Sequence, residues 1–447
     1  MCVSFVRYSA PALAVLLALA LTLAVVPRAS AQGLIRDAEI ERTLRMISDP
    51  LIQAAGLNPA SVDIHIVNDR SLNAFVAGGP NIFLNTGLMI ELESPAELQG
   101  VIAHEIGHIT GGHAARRAIK LRAAQGPALL GLLAGIAIGA AGGGAASAAV
   151  VSGTQGALFR DLLRHNRAEE ASADQAALTY LDRAGVDPAG LQRVFQRFRG
   201  QEVFTVGNID PYAVTHPLSS QRMQLIDRRV AQTDRSRLVE DKTVLYWHAR
   251  TRAKLIGFLN NPERVLNQLE GKPETEDILY AKTVALHRAP APQEAISAAD
   301  RLIAMRPSDP YYIELKGQIL YESGQAAAAI PLYRKASELA PNTPLLQAGL
   351  GRALLSLNEP AADREALRVL QAARRNDLYD ATALRSLATA YSRAGDNGMA
   401  TLATAERHAL VGRTEEAVFQ ARRAEKLLPE GSPGWLRAQD ILSLDTN

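Results

Sequence analysis

The sequence has very little cysteine and few aromatic residues. Cys2 is the only cysteine among 447 residues, and Phe, Trp and Tyr together make up 5%. A chain with one thiol forms no internal disulfide and offers no cysteine cluster to a metal ion. The scarcity of aromatic side chains argues against the stacking platforms that bind single-stranded nucleic acid. The composition is otherwise that of a globular protein, and the length predicts about three structural units.

The first 31 residues predict a cleaved export signal. Residues 12–26 are almost wholly apolar, Arg7 precedes them, and residues 29–31 supply the small side chains of a signal peptidase site. The alternative is a retained N-terminal anchor, although the apolar run is slightly short for a membrane span. Cleavage would remove Cys2 and leave 46 basic and 46 acidic residues. We therefore expect an exported, formally neutral protein without thiols that binds no nucleic acid.

The chain after the signal begins with a helical pattern and a set of short strands. Residues 32–60 have apolar positions at helical spacing. Three β-prone runs, at 62–67, 73–77 and 81–85, are separated by turn residues and predict a small sheet. Residues 94–97 read Ser-Pro-Ala-Glu, which is a strong helix start because serine caps the helix and glutamate occupies the capping-box position.

The helix that begins there is predicted to continue through residue 119, and it carries the motif His104-Glu105-Ile106-Gly107-His108. Residues four apart lie on one face of a helix, so both imidazoles can reach a single metal ion. Glu105 lies beside that face, close enough to take a proton from a water molecule at the metal. Zn²⁺ lowers the pKa of bound water from about 16 to roughly 7, so the motif indicates peptide-bond hydrolysis. A helix that carries these residues by chance is the alternative.

Open catalytic zinc sites of this type need a third ligand, usually a carboxylate from another element. Glu169, Glu170 and Asp174 lie on a predicted helix about sixty residues downstream. Glu170 and Asp174 share a helix face, so one can bind the metal while the other accepts the second N–H of a ligand histidine. The alternative is an acidic face exposed to solvent.

Residues 123–159 contain no charged side chain and are rich in glycine, alanine and leucine. Three interpretations remain open for this segment: a buried core helix, a membrane span, or a flexible apolar element beside the active site. Its length permits a span, but the glycine cluster at 142–144 weakens a continuous helix. We favour an element that gates the site or contacts a membrane surface.

Turn residues recur with a fixed period in the last third of the sequence. Pro290, Gly324 and Asn358 are 34 residues apart, and so are Pro307 and Pro341. Two helices joined by a tight turn and ended by a proline, at this period, form the tetratricopeptide pattern. The spacing after Asn358 is less regular. Stacked helix pairs present a concave face, so we expect this part to bind or dock partners.

Taken together, these motifs resemble the gluzincin metallopeptidases of peptidase family forty-eight, which include HtpX and the CAAX prenyl proteases. The resemblance rests on HEIGH, on Glu-x-x-Ala-Asp at 170–174, and on Thr215-His216-Pro217 followed by Arg222. It is strongest to the periplasmic, BepA-like members, which join such a domain to C-terminal repeats. It implies a mainly α protein: a metallopeptidase domain of helices plus a small β-sheet, then an α-solenoid of tetratricopeptide repeats.

The resemblance also implies roles and domain limits. One Zn²⁺ per chain would be held by His104, His108 and Glu170, with Glu105 as general base and acid. The implied units are a signal peptide at 1–31, a zinc metallopeptidase domain at 32–272 and a repeat domain at 273–447.

Further positions follow from the same resemblance. Asp174 would orient a ligand histidine. His216 and Arg222 would stabilise the oxyanion, and His216 could instead be a displaceable fourth ligand that keeps the site closed. Asn73 and Phe75 would belong to an edge strand that binds extended substrate. His113 follows His108 by five residues, about 140° around a continuous helix, and is interpreted as a surface residue.

The function that these expectations describe is that of a periplasmic zinc endopeptidase for unfolded or misassembled proteins. Its repeats would dock on the outer-membrane protein assembly machinery, and residues 123–159 would give peripheral contact with a membrane. One alternative is a chaperone or binding module whose peptidase site is mostly latent. Another is an integral membrane metalloprotease anchored by residues 123–159.

Overall fold

The structure, a computed structural model, describes residues 33–116, 167–199 and 211–446. The predicted signal at 1–31 and the uncharged segment at 123–159 lie outside these ranges. Within the described part of the chain, no helix combines the length and the apolar character that crossing a lipid bilayer requires.

A four-stranded mixed sheet lies at the start of the described chain. Its strands are β1 (Leu34–Ile35), β2 (Asp63–Val67), β3 (Ala74–Ala77) and β4 (Asn81–Asn85). Their spatial order is β1-β2-β4-β3, in which β2 and β4 are parallel and the outer two strands are antiparallel to their neighbours. The three runs predicted from β-prone residues are therefore strands, and β3 lies at an edge of the sheet.

Seven helices among the described residues lie in the same part of the chain as this sheet. In chain order they are α1 (Ala38–Ala54), α2 (Thr86–Glu91), α3 (Pro95–Thr110), α4 (Arg167–Ala184), α5 (Ala189–Phe198), α6 (Pro211–Thr215) and α7 (Ser220–Ala231). A capping box between Ser94 and Glu97 begins α3, as the sequence predicts. One apolar core joins α1, α3, α4 and α5 to the inner face of the sheet. On the other face the rings of Phe75 and Phe83 stack 5.0 Å apart.

The helix that carries HEIGH is shorter than the sequence pattern predicts. The pattern indicates one helix through residue 119, whereas α3 ends at Thr110 and residues 111–112 form a turn. Gly112 has a φ of +63°, a left-handed conformation that glycine adopts without steric cost. Residues 113–116 are helical again. The change of direction at this turn places His113 differently from the prediction.

The rest of the described chain is helical and built from stacked pairs. Its helices are α8 (Lys242–Leu259), α9 (Pro262–Leu269), α10 (Glu276–Arg288), α11 (Pro292–Met305), α12 (Pro310–Glu322), α13 (Ala326–Leu339), α14 (Pro344–Leu355), α15 (Pro360–Asn376), α16 (Ala381–Arg393), α17 (Asn397–Leu410), α18 (Thr414–Leu427) and α19 (Pro433–Leu442). The first helices of three successive pairs, α10, α12 and α14, begin 34 residues apart, and so do the second helices, α11, α13 and α15. The fold prediction is confirmed: a mainly helical protein with a small sheet, followed by helical repeats.

The turns of the repeats explain both the period and its interruption. Gly324 and Asn358 occupy the same position in successive pairs, and both have positive φ, of +79° and +55°. The helix after Asn358, α15, is 17 residues long, against 14 for α13. This extension shifts the later pairs out of strict register.

A buried ionic network connects the first helix of the sheet-containing part to the repeats. Glu39 of α1 is fully buried and accepts hydrogen bonds from Arg250 (2.7 Å) and Tyr280 (2.5 Å). Arg250 also contacts Asp309, just before α12, at 2.5 Å. Lys254 lies 3.3 Å from Glu39. Because these charges are out of solvent and mutually paired, they hold α1, α8 and the repeats in one arrangement.

Candidate metal centre

Helix α3 places His104, Glu105 and His108 in the interior of the protein. All three side chains have a relative exposure of 0%. The two imidazoles lie one turn apart, and their Nε2 atoms are 3.1 Å from each other. The helical spacing of the motif therefore brings both rings to one point, as the sequence predicts.

Helix α4 packs closely against α3 and supplies the acidic residues. The backbones approach so closely at Gly107 that a Cβ there would come within 2.7 Å of the carbonyl oxygen of Ala173. Glu170 and Asp174, one turn apart on α4, are both fully buried and point toward the histidines. Glycine at the second variable position of HEIGH thus permits the contact that places these carboxylates.

His216 follows α6 directly and completes the cluster. Its Nδ1 lies 3.2 Å from His104 Nε2 and 3.2 Å from Glu170 Oε1. His108 Nε2 is 3.3 Å from the same Glu170 oxygen. The four side chains offer ligand atoms that all lie within 4.8 Å of one another, and all four are buried.

The spacing of these atoms fits a metal ion better than a hydrogen-bond network. His104 Nε2 has three neighbours, His108 Nε2, His216 Nδ1 and Glu170 Oε2, at 3.1, 3.2 and 3.4 Å. A ring nitrogen carries at most one hydrogen and cannot satisfy three such contacts. Tetrahedral zinc with bonds of about 2.0–2.1 Å keeps its ligand atoms about 3.3 Å apart. The nitrogen and oxygen donors and their separations therefore fit Zn²⁺.

The protonation behaviour of the acids suits a cation site. Burial opposes the charge on Glu170, but His216, His104 and His108 outweigh it and hold the pKa of Glu170 well below its usual value. Burial lowers the pKa of His104, yet the carboxylates of Asp174 and Glu170 overcome this and raise it to about 10. Burial lowers the pKa of His108 well below its usual value. The centre thus has ionised carboxylates that favour a positive charge.

Asp174 and Arg222 form hydrogen bonds and ion pairs to the candidate ligands on the side away from the cluster. Asp174 Oδ1 lies 3.0 Å from His104 Nδ1, on the opposite side of the ring from the cluster. Arg222 donates to both oxygens of Asp174, at 2.6 and 2.9 Å, and contacts Glu170 at 2.8 Å. It also donates to the carbonyl oxygen of Pro217 at 2.7 Å. These bonds direct the guanidinium to the two carboxylates, and its predicted oxyanion role would require some of them to be released.

The second ring nitrogen of His216 contacts the edge strand. His216 Nε2 lies 3.1 Å from the carbonyl oxygen of Ala74 in β3 and 3.5 Å from Glu105 Oε1. Asn73, just before β3, accepts a hydrogen bond from Thr215 Oγ1 at 3.2 Å, which ties the strand to the residue before His216. Phe75 points to the opposite face of the sheet from Ala74, where it is 8% exposed.

His113 is the main residue of the centre that sequence reasoning placed wrongly. The interpretation as a surface histidine assumed a continuous helix, but the side chain is only 2% exposed. Its Nδ1 lies 2.8 Å from Nδ1 of His108. Burial lowers the pKa of His113. The paired glycines at 111–112 were the available sequence signal, since glycine commonly marks a helix end.

The chain is similar to a known protein family and to curated proteins. Residues 38–230 match the model described as Peptidase family M48. The chain is 26% identical over 398 residues to the beta-barrel assembly-enhancing protease of Yersinia pestis, covering 88% of this chain and 80% of that protein. It is 25% identical over 414 residues to the Escherichia coli (strain K12) protein of the same name, covering 89% and 81%.

Some solved structures are also similar to part of this chain. The structure titled MamA MSR-1 C2 has a TM-score of 0.30 and 16% identity, covering 44% of this chain and 97% of that chain. This similarity is too low to define the fold, which the helix pairs themselves establish.

Proposed function

We propose that this protein is a zinc-dependent endopeptidase that cleaves unfolded or misassembled proteins, and the match of residues 38–230 to the model described as Peptidase family M48 supports this. The observation that carries the proposal is the buried cluster of His104, His108, Glu170 and His216, whose donor atoms lie within 4.8 Å of one another. We further propose that residues 32–272 form the peptidase unit and residues 273–447 the repeat unit.

Three residues of the cluster would hold the zinc ion, and Glu105 would transfer protons. His104, His108 and Glu170 come from two packed helices, so their positions are set by the core and not by a loop. When bound, Zn²⁺ supplies a Lewis acid that polarises a carbonyl oxygen and makes water more acidic. Glu105 is fully buried beside this point, where a carboxylate can accept a proton from water and pass it to the leaving amine.

Substrate would bind as an additional strand along β3. In β3, Ala74 and Val76 alternate with Phe75, whose backbone N–H and C=O groups face its partner Phe83 in β4. The backbone N–H and C=O groups of Ala74 and Val76 therefore face away from β4, toward the open edge of the sheet. An extended peptide can pair with such an edge by main-chain hydrogen bonds that do not depend on its sequence. This mode of binding suits a peptidase that acts on unfolded chains.

The partners and location that we propose follow from the relatives. Proteins named beta-barrel assembly-enhancing protease align over most of this chain. By extension, this protein would act in the periplasm on outer-membrane proteins that fail to assemble, after removal of residues 1–31. The repeats would dock on the assembly machinery. A cavity of about 510 Å³, lined by α1, α8, α12, α14 and α16, supports a binding role for this region.

The test is proteolysis by the zinc-loaded protein of an unfolded outer-membrane protein or casein. The Glu105→Gln variant keeps the size of the side chain but removes the proton acceptor. We expect cleavage by the unmodified protein, loss of cleavage after chelation, and at least a hundredfold loss in E105Q. Equal cleavage by both proteins would refute the mechanism.

A second candidate function, a chaperone with a mostly latent peptidase site, is favoured by the position of His216. Its Nδ1 stands where a fourth ligand would, and a four-coordinate zinc ion has no place for water. Its Nε2 meets the carbonyl oxygen of Ala74, which a substrate strand would also use. If His216 closes the site, H216A should raise proteolysis. A fall in activity would instead support its predicted oxyanion role.

A further inference from the structure

The turn after α3 brings His113 back over the zinc ligand His108. Gly112 adopts a φ of +63°, which reverses the chain direction at the end of the helix. Gly111 leaves room for the returning ring, because a Cβ at this position would lie 2.5 Å from Nε2 and 2.7 Å from Cε1 of His113. Two adjacent glycines therefore allow a placement that larger residues would obstruct.

If His108 binds a metal ion through Nε2, the contact between the two imidazoles also determines the tautomer of His113. His108 directs Nε2 to the metal cluster, and that nitrogen must be free of hydrogen to bind a metal. The hydrogen of neutral His108 is then on Nδ1, which lies 2.8 Å from Nδ1 of His113. His113 can accept this hydrogen bond only in the tautomer with its own hydrogen on Nε2.

The two zinc ligands on α3 are consequently supported in different ways. His104 has the carboxylate of Asp174 at its Nδ1, at 3.0 Å. His108 has a neutral imidazole in the equivalent place. Partners of this kind orient the ligand ring and increase its basicity, and their removal usually weakens metal binding by about 10- to 100-fold.

We propose that His113 is a positioning residue, which holds the ring and tautomer of His108 for metal binding through the Nδ1 to Nδ1 hydrogen bond. This proposal rests on the proposed function, because it requires His108 to be a metal ligand.

Three variants separate this role from simple packing. His113→Ala removes the acceptor and should weaken Zn²⁺ binding by about 10- to 100-fold. His113→Asn places an oxygen near the former Nδ1 and should restore most of the affinity. Gly111→Ala keeps His113 but displaces its ring, and should resemble H113A. His248→Asn is the control, since His248 is equally buried (2% exposed) and lies on α8, outside the centre.

The measurement is Zn²⁺ affinity of the purified full chain by competition with a chromophoric chelator, together with the visible absorption spectrum of the Co²⁺-loaded protein. We expect H113A and G111A to lose affinity and to change the Co²⁺ spectrum, and H113N and H248N to remain near the unmodified protein. Equal affinity in H113A and the unmodified protein would overturn the proposal, and so would equal losses in H113A and H113N. Failure of the unmodified protein to bind either metal would instead overturn the proposed function.

Discussion

Replacement of Arg222 tests whether this residue clamps the metal centre or stabilises an oxyanion. Its side chain is 2% exposed and contacts two fully buried carboxylates, Asp174 through two bonds and Glu170 through one. Burial raises the pKa of Asp174, but Arg222 and His104 together outweigh this and hold the pKa below its usual value. Without the guanidinium, the buried carboxylates of Asp174 and Glu170 would lie close together with less positive charge to offset their repulsion.

The burial of these charges determines how much folding stability the replacement should remove. Removal of one partner of a buried ion pair destabilises a protein by about 3–5 kcal/mol. We expect Arg222→Ala to lower the free energy of unfolding of the metal-free protein by an amount in this range. The loss should be smaller with Zn²⁺ bound, because the ion offsets the charge of Glu170. Arg222→Lys keeps the charge but cannot form the same forked contacts, so its loss should be intermediate.

The assay is urea unfolding of the full chain, followed by circular dichroism and by pulse proteolysis, with and without Zn²⁺. Arg229→Ala is the control on the same helix, because Arg229 is 43% exposed and lies 3.6 Å from Asp182. Such an exposed pair contributes at most about 1 kcal/mol. If R222A is as stable as R229A while its kcat falls by a hundredfold or more, the clamp is refuted and the oxyanion role is supported.

Two further predictions concern packing and the junction with the repeats. Gly107→Ala adds a methyl group against the backbone of Ala173, at 2.7 Å, and should cost about 1–3 kcal/mol and reduce the zinc content measured after dialysis. Unchanged stability and zinc content would show that α3 and α4 can move apart without cost, and would contradict the importance of their close contact. Glu39→Gln removes the fully buried counter-charge of Arg250, which keeps only Asp309, and should cost about 3–5 kcal/mol in urea unfolding. Glu41→Gln, in a partly exposed pair, should cost less than about 1 kcal/mol, and equal losses would contradict the importance of burial.

The first two candidate ligands and the repeat period were predictable because they depend on local geometry. His104 and His108 face the same way on any α-helix that contains them. The recurrence of Gly324 and Asn358 similarly reflects a turn within one pair of helices. Each of these features depends only on the backbone conformation of residues that are close in the sequence, so the spacing of residue types predicts it directly.

The error at His113 shows where local reasoning failed. A projection of 140° from His108 is valid only while the helix continues, and α3 ends at Thr110. The glycines at 111–112 indicated a stop, but no periodicity predicts the direction of the chain beyond a left-handed residue. The ring that was expected on the surface instead lies against a candidate ligand.

The sequence by itself determined the donor chemistry of this protein: a chain expected to lose its only cysteine, with histidine and carboxylate motifs and a period of 34 residues. Only the tertiary structure decided which of those groups meet. Glu170 is 62 residues from His108 and His216 is 112 from His104, yet their atoms come within 3.3 Å. Helical periodicity relates only residues within one helix, so it cannot predict contacts between residues this far apart in the sequence. The close packing of α3 on α4, the burial of opposing charges and the turn at Gly112 together bring the groups to one point.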